Sequence, residues 1–258
     1  MDNYWLERTD LLIGSKNLQK LKQSHVLVAG LGGVGSWCAE MLARAGVGEL
    51  TLLDGDVVTP SNRNRQLPAL KSTEGIAKTE VMAARIKDIN PDIVLHTLNQ
   101  FHTGEDFKTL LCQPFDYVVD AIDSLHPKVC LIITAIQKQH RLISSMGAGG
   151  KIHPEKIQIV DISRSYHCKL ARMVRKRLSK FNIKKGFNVV FSPEPVPKSA
   201  VISTQSERNK KSTVGTISYM PAIFGLMAAS KVIRDLIENN HKNLKPKSQL
   251  HNHFPDLH

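Results

Sequence analysis

Paired cysteines are missing from this chain. Cys38, Cys112, Cys130 and Cys168 are scattered through 258 residues without a C-x-x-C pair. A structural zinc site normally draws on closely spaced ligand pairs, so zinc held by cysteines is not expected. Cys38, Cys112 and Cys130 lie in apolar helical surroundings and are expected to be buried small hydrophobes. Long apolar runs are missing too. The most apolar late stretch, 221–229, falls far short of the roughly 18 residues that span a bilayer. The start Met1-Asp2-Asn3-Tyr4 is polar, with no charged-then-apolar signal pattern. No integral membrane segment is expected, and the chain reads as soluble and cytoplasmic. No internal repeat is present. Acidic residues are in short supply, 23 against 35 Lys plus Arg, for a formal net charge of +12, and none occurs in 163–193. That excess points towards a polyanionic partner.

What is present is a pattern of alternation. Hydrophobic residues make up 41 % of the chain, enough for one large α/β domain with a real core. Val-, Ile- and Leu-rich segments at 25–29, 50–54, 93–97, 116–121 and 142–146 read as strands. Helical patterns fill the gaps at 35–45, 76–89, 105–112 and 127–140. Apolar strands separated by helices predict an α/β, Rossmann-like, mostly parallel sheet with helices on both faces. Ligands then bind at the carboxyl ends of the strands. After residue 150 a mixed α/β extension is expected. It comprises short strands at 151–153 and 156–162 joined by a Pro154 turn, a basic helix, a strand at 187–192, and a proline-rich link. A polar loop with Arg208, Lys210 and Lys211 and a final helix over 222–238 complete it. The expected division is a core at 1–150, an extension of the same domain at 151–240, and a flexible tail at 241–258.

The run Val-Leu-Val-Ala-Gly-Leu-Gly-Gly-Val-Gly over 26–35 is a strand that breaks into a glycine turn and opens a helix. Gly30, Gly32, Gly33 and Gly35 let backbone approach a phosphate, and the helix amides then point at the anion. Asp54 follows about twenty residues later, where a carboxylate can accept from ribose hydroxyls. Taken alone, this motif favours NAD. Arg65, Lys78 and Asp123 shift the balance towards ATP. Both cations fall in the crossover after the second strand, where charge builds on a departing pyrophosphate. Asp123 sits just past a strand end, and a hard magnesium ion favours such a carboxylate. Singly, each reads as a solvated charge or a helix cap; their joint placement carries the inference.

Gly30-x-Gly-Gly-x-Gly35, Leu53-Asp54-x-Asp56, Ser61-Asn62-x-Asn64-Arg65-Gln66, Gly75-x-x-Lys78 and Asp120-x-x-Asp123 resemble the adenylation core of the ubiquitin-activating-enzyme-like superfamily. That superfamily includes the bacterial ThiF, MoeB and HesA activators. The resemblance implies Asp54 on ribose, Arg65 and Lys78 on phosphates, and Asp123 on Mg2+. It further implies that Asp56, Asn62, Asn64 and Gln66 belong to the nucleotide pocket. Arg8 matches an N-terminal arginine that reaches the partner subunit's nucleotide, which implies a homodimer.

Three later segments narrow the resemblance. Gly147-Ala148-Gly149-Gly150-Lys151-Ile152, Val190-Phe191-Ser192-x-Glu194 and 215–225 resemble one branch, the tRNA threonylcarbamoyladenosine dehydratases. This implies ATP-dependent cyclisation of threonylcarbamoyladenosine beside the tRNA anticodon. The chemistry suits the residue inventory. Adenylation turns the free carboxylate into a mixed anhydride, and the ureido group of the same side chain then closes the ring and expels AMP. A tethered nucleophile reacts at high effective concentration, so no enzyme nucleophile is required. A monovalent cation, Na+ or K+, at the 147–150 turn is an accompanying expectation.

Lys169, Arg172, Arg175, Lys176, Arg177 and Lys180 fall on one face of a predicted helix whose other side is apolar. They are the expected contacts to tRNA phosphates, which position RNA without reading its sequence. The dehydratase pattern tends to carry Asp-Pro where this chain has Cys168-Lys169, so an exposed Cys168 forming a thioester or persulfide is a competing expectation. The alternative function is adenylation of the C-terminus of a small ubiquitin-like or sulfur-carrier protein, with sulfur-transfer proteins as partners. A nucleotide-dependent scaffold without turnover is a third.

Overall fold

The computed structural model describes residues 4–203 and 212–238. Two short helices, α1 (Glu7–Ile13) and α2 (Ser15–Gln23), precede the alternating region. There follow β1 (His25–Ala29), α3 (Gly35–Arg44), β2 (Glu49–Leu53), α4 (Lys78–Ile89) and β3 (Val94–Leu98). Next come α5 (Gly104–Leu110), β4 (Tyr117–Asp120), α6 (Leu125–Gln137) and β5 (Leu142–Ser145). The extension contributes β6 (Gln158–Asp161), α7 (Lys169–Leu178) and β7 (Asn188–Phe191). A small hairpin of β8 (Val201–Ser203) and β9 (Ser212–Val214) then leads to α8 (Tyr219–Ile237).

Seven strands form one sheet in the order β3-β2-β1-β4-β5-β7-β6, parallel throughout except for the β6–β7 pair. The expected Rossmann-like architecture is therefore present, with β6 and β7 extending the same sheet. Alternation along each strand divides the core. Val26 and Val28 pack with Cys38, Leu42, Met82 and Phe224 on the side of α3, α4 and α8. Leu27 and Ala29 face the other way, onto Phe107, Leu131 and Val174 from α5, α6 and α7. The edge strand β3 departs from the expected burial on both faces, since Val94 and His96 are exposed.

From β1 the chain winds outward through β2 and β3 and then crosses back to β4, so the order reverses between β1 and β4. Open α/β sheets bind ligands at such a switch point. Ala29 lies in register with Leu53 on one side and Asp120 on the other. The glycine turn, Asp54 and the 121–123 segment therefore leave the sheet at one level.

Several local expectations are corrected. Residues 151–153 form no strand, because the amides of Ile152 and His153 donate to the Glu194 carboxylate rather than to a neighbouring strand. The last helix starts at Tyr219 rather than 222, with Pro221 in the first turn, where no amide donor is needed. Helix α7 ends before Lys180, which sits in a following 3-10 turn closed by left-handed Asn182. Cys112 is exposed, its thiol donating to the Lys108 carbonyl. Arg208, Lys210, Lys211 and the 241–258 tail lie outside the described residues. Among the described residues, no helix is long and apolar enough to cross a membrane.

Candidate active site

The glycine turn is shaped by what presses on it. Gly30 has φ of 90°, and a Cβ there would lie 2.8 Å from the Ala121 carbonyl oxygen. At Gly35 a Cβ would fall 1.7 Å from the Gly30 oxygen, so the turn cannot close around a side chain. Helix α8 supplies the opposite wall. A Cβ on Gly33 would lie 2.8 Å from Pro221 Cβ, and one on Gly225 would lie 2.3 Å from the Val34 oxygen. Gly32 alone looks into open space, where the nearest neighbour of its missing Cβ is Gln66 Nε2 at 3.8 Å. The carboxamide of Gln66 thus lies over the turn, and its buried Oε1 has no hydrogen-bond partner. That oxygen is free to accept from a donor such as a ribose hydroxyl or an adenine amino group.

Asp54 ties this turn to β2. Its Oδ2 accepts from the Leu31 amide at 2.6 Å and its Oδ1 from the Asp56 amide at 2.8 Å. Burial pushes the Asp54 carboxyl above its ordinary range, against the opposing pull of Lys78 and the two amides. The 57–77 loop folds back on itself through Val58–Ile76 and Gly75–Val58 backbone bonds, which returns the chain to Asp56. There Lys78, 4 % exposed, donates to Asp56 Oδ2 at 2.9 Å. Within the loop, Asn62 is buried and its Oδ1 accepts from the Thr59 amide. Arg65 donates to the Ser61 carbonyl and to Asn64 Oδ1, while Asn64 reaches the Thr216 carbonyl at 2.9 Å. The structure therefore brings Asp54, Asp56, Asn62, Asn64, Arg65, Gln66 and Lys78 to the segment around the turn.

The third side is the end of β4. Asp123 is exposed, with Ser124 Oγ donating to its Oδ1 at 3.4 Å. Beneath it lies an ion pair that sequence reasoning missed, although its Asp120 belongs to the Asp120-x-x-Asp123 motif. Asp120 is fully buried and accepts from Lys128 Nζ at 2.6 Å and from Ser144 Oγ at 2.5 Å. Lys128 also donates to the Ser145 carbonyl. The available signal was one lysine at the head of the apolar run Val129-Cys130-Leu131-Ile132-Ile133.

In the extension, Lys169, Arg172, Lys176 and Lys180 are exposed, while Arg175 and Arg177 are partly buried. Arg175 is held by the Ser165 hydroxyl. Ala171, Val174 and Leu178 are buried on the opposite side of α7, as the periodicity requires. Cys168 is only 6 % exposed at the helix N-cap, which corrects its expected exposure and removes it as an accessible thiol. The 147–150 turn is bound to the later chain through Gly150 N donating to the Gly215 carbonyl. Arg8 is exposed on α1, which packs on α2.

Three comparisons bear on this geometry. The family model described as the ThiF family matches residues 7–257. A tRNA threonylcarbamoyladenosine dehydratase of Bacillus subtilis is 40 % identical over 239 residues, which is 90 % of this chain and 94 % of that one. The Escherichia coli protein of the same name is 37 % identical over 253 residues, 90 % of this chain and 94 % of that one. The solved structure of the E. coli tRNA N6-threonylcarbamoyladenosine dehydratase in complex with ATP superposes with a TM-score of 0.84. It is 35 % identical, covering 92 % of this chain and 97 % of that chain. A complex of the E. coli enzyme with AMP gives 0.83 over the same share.

Proposed function

This chain belongs to the ThiF family, and within it to the tRNA threonylcarbamoyladenosine dehydratases; on that premise we propose that it binds ATP at the glycine turn and dehydrates threonylcarbamoyladenosine beside the tRNA anticodon. The observation that carries this reading is the bare, open backbone at Gly32, set at the switch point between β1 and β4 with Asp54 tied to the Leu31 amide beside it. A polar ligand belongs there, and the E. coli relative was solved with ATP and with AMP.

The division of labour follows from placement. The glycine-turn amides and the Lys78 ammonium bind the phosphates, Asp54 orients the ribose, and Asn62, Asn64 and Gln66 line the pocket. Arg65 leaves its neutral partners, Ser61 and Asn64, for the outer phosphates. The substrate carboxylate attacks the α-phosphorus, the α–β bond breaks, and pyrophosphate departs. The ureido group then attacks the acyl carbon and loses a proton, and AMP leaves. The net change is loss of one water, with ATP converted to AMP and pyrophosphate. Low-dielectric, fixed cations stabilise the departing charge.

Asp123 fits a magnesium ion, since one exposed carboxylate together with phosphate oxygens is the donor set that ion favours. When bound, magnesium neutralises pyrophosphate charge. The 147–150 turn is the proposed place for a monovalent cation, sodium or potassium. A homodimer with Arg8 serving the partner's nucleotide is supported by α1, whose Leu11 and Leu12 are 81 % and 84 % exposed and call for a cover. The basic face of α7 meets the tRNA backbone. Cytoplasmic residence follows from a tRNA substrate. Activation of a carrier protein with sulfur-transfer partners is less supported, because the relatives matched over nine-tenths of the chain carry the dehydratase name and Cys168 is buried.

The test is incubation of the purified protein with ATP, magnesium and tRNA bearing threonylcarbamoyladenosine, followed by mild nucleoside mass spectrometry. Loss of the mass of one water from that nucleoside, dependent on ATP, is expected. Intact nucleoside from a folded, ATP-binding protein would overturn the reading.

A further inference from the structure

At the end of the sheet opposite the glycine turn, three side chains converge on one point. His25 opens β1 and Glu49 opens β2, and the two are direct partners in the parallel register. His96 on β3 pairs with Thr51, two residues beyond Glu49 and on the same face. His25 Nδ1 lies 3.4 Å from Glu49 Oε1, and His96 Nε2 lies 2.9 Å from the same oxygen. The three ligand atoms all fall within 4.8 Å of one another. Thr51, 2 % exposed, holds the far nitrogen of His25, with its Oγ1 2.8 Å from Nε2. The Phe115 ring packs on the same imidazole at a centroid distance of 4.6 Å.

We propose that His25, Glu49 and His96 form a binding site for a divalent transition ion of the zinc type, separate from the nucleotide site. Two imidazoles and one carboxylate are a donor set that such ions favour, with a fourth position left for water. Two donors on one tetrahedral zinc, each about 2.0–2.2 Å from it, lie about 3.4 Å apart. The His25–Glu49 distance already has that value. His96 is the adjustable ligand, because its side chain is half exposed on the sheet edge. Thr51 accepting from Nε2–H leaves the Nδ1 lone pair free for the metal, the kind of outer contact that fixes a ligand's tautomer and direction. All three ligands stand on paired strands, so little ordering is required on binding. The ion would fasten β3, the exposed edge, to β2 and β1.

Zinc binding to the 258-residue chain tests this, with His241, His251, His253 and His258 replaced by Asn so that tail imidazoles do not contribute. Zinc is titrated in competition with a chromophoric chelator, without ATP or tRNA, so the outcome is independent of the dehydratase reading. One equivalent per chain is expected, lost in His96→Ala and in Glu49→Gln, with Thr51→Val weakening affinity about 10- to 100-fold. Cobalt in place of zinc should give visible absorption bands that the His96→Ala chain lacks. His96 is half exposed and its Glu49 contact is a surface pair, so its replacement should change the metal-free melting curve little. No bound zinc, or an undiminished equivalent in both His96→Ala and Glu49→Gln, would overturn the proposal.

Discussion

Lys128 and Asp120 form an ion pair at 2.6 Å in which neither side chain has any exposed surface. The second carboxylate oxygen of Asp120 accepts from the Ile122 amide at 3.1 Å, so the pair holds the strand end that carries Asp123. Ser144 and the Ser145 carbonyl complete the coordination of the ammonium. Every charge here is paired and bonded, the condition under which buried ions are tolerated.

Removing the lysine alone should therefore cost more than removing the pair. Lys128→Ala leaves Asp120 buried without its counter-ion and is expected to lower unfolding stability by about 3–5 kcal/mol. Lys128→Met with Asp120→Asn should cost less than the single Ala change. Urea denaturation measures both. A single-variant loss below about 0.5 kcal/mol, typical of a surface change, would contradict a tightly coupled pair.

Two glycines in one turn should fail in different ways. Gly35→Ala forces a Cβ into the Gly30 carbonyl at 1.7 Å, a backbone clash that no rotamer relieves. It should unfold the turn and lower the melting temperature. Gly32→Ala meets nothing closer than Gln66 Nε2 at 3.8 Å, so the free protein should melt normally. If the phosphates lie on the turn as proposed, its methyl group blocks their approach, and ATP should bind at least tenfold more weakly, about 1.4 kcal/mol. Fluorescent-nucleotide titration beside a melting curve separates the two. Unweakened ATP binding by Gly32→Ala would place the phosphates elsewhere.

The proposed phosphate contact of Lys78 can be tested at the chemical step. Lys78→Ala should reduce pyrophosphate release by roughly 100- to 1000-fold, the range seen when one transition-state donor is removed. Asp123→Ala should also abolish adenylation while leaving stability almost unchanged, since the side chain is exposed. Pyrophosphate release with threonylcarbamoyladenosine-bearing tRNA reads both. Full turnover by Asp123→Ala would remove that carboxylate from magnesium coordination.

Local grammar made most of this fold legible. β1 ends where hydrophobic residues give way to glycine, and the Val/Ile/Leu runs of β2, β4 and β5 allow few alternatives to buried parallel strands. The glycine turn, Asp54 and Asp123 could be singled out because each lies within a few positions of such a strand end, whereas Asn62 to Gln66 and Lys78 stand well inside the β2–β3 crossover and were picked out by the family resemblance. Long-range partners were not. Nothing local to Glu194 shows that it accepts the amides of Ile152 and His153, some forty residues earlier, and that bond cancelled an expected strand. Pro221 and Gly225 form a wall of the glycine turn by packing across nearly two hundred residues of sequence. Cys168 looked exposed because its neighbours are charged, yet its own side chain turns inward among Ala171 and Val174.

Charge reversal on α7 should be made at the exposed positions. Arg172→Glu with Lys176→Glu removes two solvent-facing cations and leaves the buried Ala171–Val174–Leu178 side untouched. Arg175 is a poorer choice, since its guanidinium also serves the Ser165 hydroxyl. The double variant should bind tRNA more weakly. The slope of log affinity against log salt should fall by roughly one for each phosphate that is no longer neutralised. Filter binding at several salt concentrations measures this. An unchanged slope would make α7 a solvated face only.

The Glu194 clip should make stability depend on pH in a defined direction. Burial works to raise this carboxyl, but the amides of His153 and Ile152, with the charges of His153 and Lys151, outweigh it and hold it below its ordinary range. A group whose folded value lies below its unfolded value stabilises the protein above the unfolded value, about 4.3 for glutamate. That contribution is lost as pH falls from there through the folded value. Glu194→Gln cannot titrate, so its melting temperature should lie below that of the parent at neutral pH. The gap should then narrow as pH drops below the ordinary glutamate range. Asp161, also held low by Ser163 and Gly186 despite burial, is common to both proteins and cancels from the difference. A gap that stays constant from neutral pH into the acid range would mean that the clip acts through its hydrogen-bond geometry alone, not through its charge.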